Sequence, residues 1–120
     1  MPSEALVKKL QEQVKNEWES EYYYLTMMAW CTNNDYDGFA HWFRMQASEE
    51  HEHGEKFLRY LAEVDCDISI PSIQTKQVEF KSIENIYDLT LEHEQKVTAL
   101  IYDLVKAAEA EKDYMTLKFL

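Results

Sequence analysis

Residues 65–81 read DCDISIPSIQTKQVEFK and separate two long segments of helical periodicity. Pro71 and a short alternation of apolar and polar side chains are typical of an extended connection. At about 3.3 Å per residue this segment reaches over about 50 Å, more than the roughly 40 Å of the helix before it. The third helix can therefore begin at the same end of the bundle as the second helix and run parallel to it. The sequence predicts an all-α bundle with one long crossover.

Three complete helices and the start of a fourth are predicted around this crossover. The chain has only two glycines and two prolines, which favours long helices over strands joined by tight turns. Good N-cap residues stand at Ser3, Ser82 and Asp113, and the polar turn NNDYDG divides the first helix from the second. The helices, all within one domain of residues 1–120, are predicted at about residues 3–33, 36–64, 82–111 and 113–120.

The composition predicts a globular, soluble protein that attracts cations. With 46% hydrophobic residues among 120, the chain can bury a substantial core. Its net charge of −11 argues against nucleic acid and anionic membranes as partners, because both require clustered Lys and Arg. The sequence has no apolar leader and no run of about 18 apolar residues, so we expect a cytoplasmic protein. Cys31 and Cys66 are expected to be reduced thiols.

Polar residues interrupt the apolar stripe of each long helix. Spacings of three and four place Glu17 and Glu21 on the stripe of the first helix, Glu50 and His53 on that of the second, and Glu94 on that of the third. Taken singly, each is also typical of a solvated surface. Together they predict buried carboxylates, which cost several kcal/mol each unless a cation compensates them.

We therefore predict a metal site formed by Glu17, Glu50, His53 and Glu94. Carboxylates with one imidazole are a ligand set that iron and manganese accept, and a carboxylate can bridge two metals. The E-x-x-H spacing in the second helix places its two ligands on one face.

Several neighbours of this site have two open interpretations. Glu49 is either a ligand of an outer, weaker ion or a solvated acid, and Tyr24 is either a hydrogen-bond donor to a ligand or a core aromatic. Glu21 could bond a tyrosine or contact a further metal, and Gly54 could leave room for a metal or for close helix approach. The residues expected to face solvent are His51, Glu52 and His93.

With these residues identified, the chain resembles the prokaryotic non-haem ferritins over essentially all 120 residues. The resemblance lies in the first-helix stretch ending MMAWC, in FR-x-QA-x-EE-x-x-H, in HEQKVT and in EKDYMTLKFL. It implies a ferritin-like up-down helix bundle that assembles as a homo-oligomer, a hollow shell of twenty-four subunits. It also implies an iron-storage protein whose ferroxidase centre oxidises Fe(II) with O₂ or peroxide.

The resemblance assigns a role to each site residue. Glu17 and His53 would bind the first iron, Glu50 would bridge the two irons, and Glu94 would bind the second. Tyr24 would lie beside the centre. Glu49 would help to form a third iron site.

The sequence also departs from the ferritin pattern. Ferritins carry further acidic ligands on the fourth helix, and this sequence stops at Leu120 before them, so we expect a domain incomplete at its C-terminus. An alternative function is therefore a truncated or domain-swapped helical assembly module with a partial, catalytically weak metal site. A rubrerythrin-like peroxide reductase is disfavoured, because the chain has no C-x-x-C pair.

Overall fold

The computed structural model describes residues 2–120, which form four helices and no strand. Residues 64–82 connect the second helix to the third as an extended crossover. The prediction of an all-α bundle with three complete helices, one long crossover and the start of a fourth helix is confirmed. The helices are α1 (Glu4–Asn33), α2 (Asp37–Glu63), α3 (Ile83–Ala110) and α4 (Tyr114–Phe119).

Side-chain caps determine where three of the helices begin. The side chains of Ser3, Ser82 and Asp113 each accept a hydrogen bond of 3.0 to 3.1 Å from the backbone N–H three residues further along. Such caps satisfy a donor that the first helical turn leaves free. Helix α2 has no side-chain cap and instead follows a tight turn in which Asp35 has a φ of 64°. The N-caps predicted from the sequence are the ones observed.

Two apolar clusters occupy the two ends of the bundle and leave a polar band between them. Helix α1 supplies residues to both clusters. Because apolar burial is the main stabilising term in folding, these clusters hold α1 against α2 and support the polar residues at mid-length. One cluster contains Leu6, Leu10, Val14, Trp18, Phe57, Tyr60, Leu61, Leu104 and Ala108. The other contains Tyr23, Tyr24, Met27, Cys31, Ala40, Phe43, Ala47, Phe80 and Ile86.

The apolar stripe predicted for α3 is only partly buried. Tyr87 is 62% exposed, and Phe39 near the start of α2 is 50% exposed. Both line an open apolar groove of about 940 Å³ between α2 and α3. Helix α3 packs mainly against α1 and not against α2. Apolar residues on the side of α3 that is turned toward α2 therefore line the groove instead of packing against a helix. None of the helices in residues 2–120 has the length and apolar character needed to cross a membrane.

Candidate metal centre

Three of the predicted ligands converge in the polar band between α1 and α2. The nearest ligand atoms of Glu17, Glu50 and His53 all lie within 4.8 Å of one another. Nδ1 of His53 is 3.8 Å from Oε2 of Glu17 and 3.8 Å from Oε1 of Glu50. These distances are too long for hydrogen bonds. Two ligand atoms that each lie about 2.1 Å from one shared ion are at most about 4.2 Å apart, so both separations are compatible with a shared ion.

Two carboxylate oxygens in this cluster are buried without a hydrogen-bond partner. These are Oε2 of Glu17, whose residue is only 3% exposed, and Oε2 of Glu50. The other oxygen of Glu17 accepts a 3.0 Å hydrogen bond from Nε2 of the buried Gln13. A buried carboxylate oxygen that makes no hydrogen bond is unfavourable unless a cation compensates it. The donor set therefore fits a metal ion such as iron.

Burial and nearby negative charge perturb the carboxyl group of Glu50 in the metal-free protein. Burial, together with repulsion from the nearby carboxylates of Glu17, Glu94 and Glu49, raises the pKa of Glu50 to about 9. A carboxyl group with such a pKa keeps its proton at neutral pH. A metal ion that binds here must replace this proton, and the carboxylate that results becomes an anionic ligand.

The fourth predicted ligand, Glu94, lies beside this cluster but not within it. Its Oε1 accepts a 2.7 Å hydrogen bond from the phenol of Tyr24, which is buried in α1. Burial and this contact with Glu94 raise the pKa of Tyr24 well above its usual range. Glu94 itself is exposed but lies near enough to raise the pKa of Glu50. The structure combines the two interpretations of Tyr24, because its ring belongs to an apolar cluster and its hydroxyl donates to Glu94.

Comparison with known proteins connects this arrangement to a family. The ferritin-like domain family matches residues 7–120. This chain belongs to the ferritin family. The bacterial non-heme ferritins of Campylobacter jejuni and Staphylococcus aureus are 37% and 33% identical to it over all 120 residues, which cover 72% of each relative. The resemblance read from the sequence, and with it the prediction of an iron-storage ferritin subunit, is confirmed.

Solved ferritin structures share the fold of the chain. Chlorobium tepidum ferritin superposes with a TM-score of 0.95 at 36% identity, covering 99% of this chain and 73% of its own. The open-pore ferritin of the archaeon Archaeoglobus fulgidus gives a TM-score of 0.95 at 31% identity, with 99% and 74% coverage. The bundle around the cluster is therefore the ferritin bundle.

His53 lies in a more exposed position than the sequence pattern indicated, and Glu49, whose position the sequence left open, is also exposed. The side chain of His53 is 52% exposed, so it lies at the rim of the cluster instead of inside the bundle, although Nδ1 faces the carboxylates. Glu49 is exposed and belongs to no ligand cluster found among residues 2–120. Glu49 acts on the centre through charge repulsion, which contributes to the raised pKa of Glu50. Its role in an outer iron site stays a prediction.

The prediction that His93 faces solvent is wrong. Its ring is half-buried between α1 and α3, with Nε2 2.8 Å from the hydroxyl oxygen of Ser20. The rings of Tyr23 and Tyr24 make edge contacts with it, at centroid distances of 5.0 and 5.6 Å. This burial lowers the pKa of the imidazole. The prediction failed because α3 packs against α1 through the face that carries His93.

His51 is half-exposed and provides the partner that Glu21 lacked in the sequence analysis. Its Nδ1 is 3.0 Å from Oε1 of Glu21, and its Nε2 is 3.3 Å from Oε1 of Glu55. The contact with Glu21, and then the one with Glu55, raises the pKa of His51. Because each nitrogen faces a different carboxylate, this group is an ion-pair network. Glu21 thus bonds neither a tyrosine nor one of the clustered ligands.

Two features support the cluster, and the first of them was not predicted from the sequence. Gln13, which orients Glu17, stands four residues before it, and this spacing on one helix face was the available signal. The other feature concerns Gly54, where an added Cβ would overlap the indole of Trp18, 2.9 Å from Cε2 and closer still to Nε1. Gly54 therefore permits close helix approach, which was one of its two interpretations.

Proposed function

We propose that this ferritin subunit oxidises Fe(II) at a di-iron centre and thereby supplies Fe(III) for storage. The observation that supports it is the pair of buried, unpartnered oxygens, Oε2 of Glu17 and Oε2 of Glu50, beside Nδ1 of His53. A structural ion pair does not explain this arrangement, since it leaves two acceptors unsatisfied. A divalent cation satisfies both.

In this proposal each residue binds or positions the iron substrate. Glu17 and His53 hold the first Fe(II), Glu50 bridges, and Glu94 holds the second, with its carboxylate oriented by Tyr24. Each Fe(II) loses one electron. The two electrons and two protons convert O₂ to hydrogen peroxide, or hydrogen peroxide to two water molecules. Holding both metals in one site lets a single oxidant accept both electrons.

The acidic side chains also favour the oxidised product. Three carboxylates surround the proposed metals, and their attraction grows with the charge of the cation. Fe(III) is therefore stabilised relative to Fe(II). Loss of the Glu50 proton on metal binding adds to this charge.

The decisive experiment is an anaerobic Fe(II) titration followed by exposure to air. We expect di-ferric absorbance in the parent and its loss in Glu50→Ala, because that variant lacks the bridging carboxylate. Glu52→Ala is the matched control, since Glu52 is an exposed acid two residues away in the same helix. If Glu50→Ala oxidises iron as fast as the parent, the proposed centre is wrong.

The proposed assembly is a homo-oligomer, a twenty-four-subunit shell in the cytoplasm by analogy with the family. The open groove between α2 and α3 supports association, because exposed aromatic surface of this kind favours a protein partner. The same groove favours the second candidate, a smaller swapped assembly with a weak metal site. Sedimentation together with iron content per chain separates the two, because only a shell combines high mass with many irons per subunit.

A further inference from the structure

Three residues join α1 to α2 next to the metal ligands, and we name Trp18, His51 and Gly54 the clasp. In the sequence, Trp18 directly follows Glu17 on α1. On α2, His51 directly follows Glu50, and Gly54 directly follows His53. One residue along an α-helix is a rotation of about 100° and a rise of about 1.5 Å. The clasp and the ligands are thus two adjoining contacts between the same two helices, at the same height.

The clasp is a close and directional contact. The indole Nε1 of Trp18 donates a 3.1 Å hydrogen bond to the backbone carbonyl of His51. The two rings stack with centroids 5.7 Å apart and planes 13° apart. The indole covers Gly54 so closely that any Cβ there would overlap it. Trp18 and Gly54 are both buried where the two helices meet.

The hydrogen bond and the glycine restrain different movements. The bond to a backbone carbonyl resists sliding of α1 along α2, because a helix offers the next carbonyl on that face only a turn away. The missing side chain at Gly54 sets how closely the helices approach, since the indole occupies the space that a Cβ would need. The distances between Glu17 and the α2 ligands depend on both movements.

We propose that the clasp makes Trp18 and Gly54 positioning residues of the metal centre, holding Glu17 at ion-sharing distance from Glu50 and His53. This inference rests on the proposed function, since it requires these three residues to bind a metal. Metal ligands depend on supporting residues for their orientation. A displacement of about 1 Å is enough to impair such a site.

The test measures Co(II) binding by visible absorption under anaerobic conditions. Absorbance that persists in Glu50→Ala comes from other sites and is subtracted. In Gly54→Ala the added methyl group displaces the indole, and we expect Co(II) affinity to fall by about tenfold or more. Trp18→Phe keeps a ring but loses the donor, so we expect a smaller loss. Adding Trp18→Leu to Gly54→Ala removes the overlap and should restore part of the affinity.

Gly38→Ala is the matched control, because an added Cβ there meets no atom within 4 Å. It should leave Co(II) affinity unchanged. Thermal unfolding and far-UV circular dichroism of each variant establish that the folded protein is being titrated. A merely structural clasp would lower the melting temperature in Gly54→Ala and leave the affinity of the folded protein unaltered.

The outcomes separate this inference from the proposed function. If the parent binds neither Co(II) nor Fe(II), both are wrong. If the parent binds Co(II) and Gly54→Ala binds it within about twofold of the parent, only the clasp inference is wrong. Should Gly54→Ala fail to fold, Trp18→Phe decides, because it adds no volume. Parent-like affinity in that variant overturns the inference.

Discussion

The phenol of Tyr24 donates a 2.7 Å hydrogen bond to Oε1 of Glu94, and this bond joins α1 to α3 at the height of the metal centre. The same two helices meet there through Ser20 and His93. Because Glu94 is otherwise exposed, the bond to Tyr24 is what orients its carboxylate. The proposed second iron therefore depends on a residue that binds no metal in this scheme.

Replacement of Tyr24 by phenylalanine should slow Fe(II) oxidation and lower stability. The variant loses a hydrogen bond to a carboxylate, and we expect the free energy of unfolding to fall by about 1 kcal/mol. Stopped-flow absorbance and urea unfolding measure the two effects. Tyr102→Phe is the control, since that ring is exposed on α3. Parent-like oxidation in Tyr24→Phe would contradict the positioning role.

The stability of the metal-free protein should depend on pH through Glu50. Its pKa is raised from 4.5 to about 9 in the folded state, so the folded chain keeps a proton that the unfolded chain releases. Its contribution to stability is complete below about pH 4.5 and is lost as pH rises toward about pH 9. Urea unfolding of the parent and of Glu50→Gln across this range measures it. The difference between them should shrink or reverse with rising pH, and a constant difference would contradict the prediction.

Metal binding near neutral pH should release about one proton from Glu50. Anaerobic calorimetric titrations with Co(II) in buffers of different ionisation enthalpy count the protons directly. Glu50→Gln cannot release this proton, so any residual binding by that variant should show a smaller dependence on the buffer. Equal proton release by parent and variant would show that the proton comes from another group.

Truncation of Leu10 should destabilise the fold without changing the metal centre. Leu10 is fully buried in the cluster at one end of the bundle, so Leu10→Ala should lower the free energy of unfolding by about 2 to 5 kcal/mol. Ile70→Ala, at an exposed position in the crossover, should have little effect. Denaturant unfolding and Co(II) titration of the folded variants check both statements. A large loss of Co(II) affinity in Leu10→Ala would mean that the two regions are coupled.

The helices and the register of the candidate ligands on them were predictable because their signals are local. N-caps at Ser3, Ser82 and Asp113 depend on contacts three residues away, and Pro71 marks the crossover by its own backbone chemistry. The register of Glu17 on its helix follows from a period of 3.6 residues. Each of these features can be read within a few positions of the chain.

The partners across the helices were not predictable in this way. From helical periodicity alone, Glu21 had no partner and His93 was expected to face solvent, whereas the structure pairs Glu21 with His51 and places His93 against Ser20. Helical periodicity gives the angle of a side chain around its own helix. It does not give the rotation or the distance of the neighbouring helix.

The sequence by itself determined the all-α class, the crossover and the acidic residues that interrupt the apolar stripes. Only the tertiary structure decided that Glu17, Glu50 and His53 form one cluster, that Glu94 lies beside it bonded to Tyr24, and that His53 lies at its rim. The physical reason is that helix formation depends on short-range backbone bonds and spacing. A metal centre depends on how closely separate helices pack, and side chains far apart in sequence set that distance.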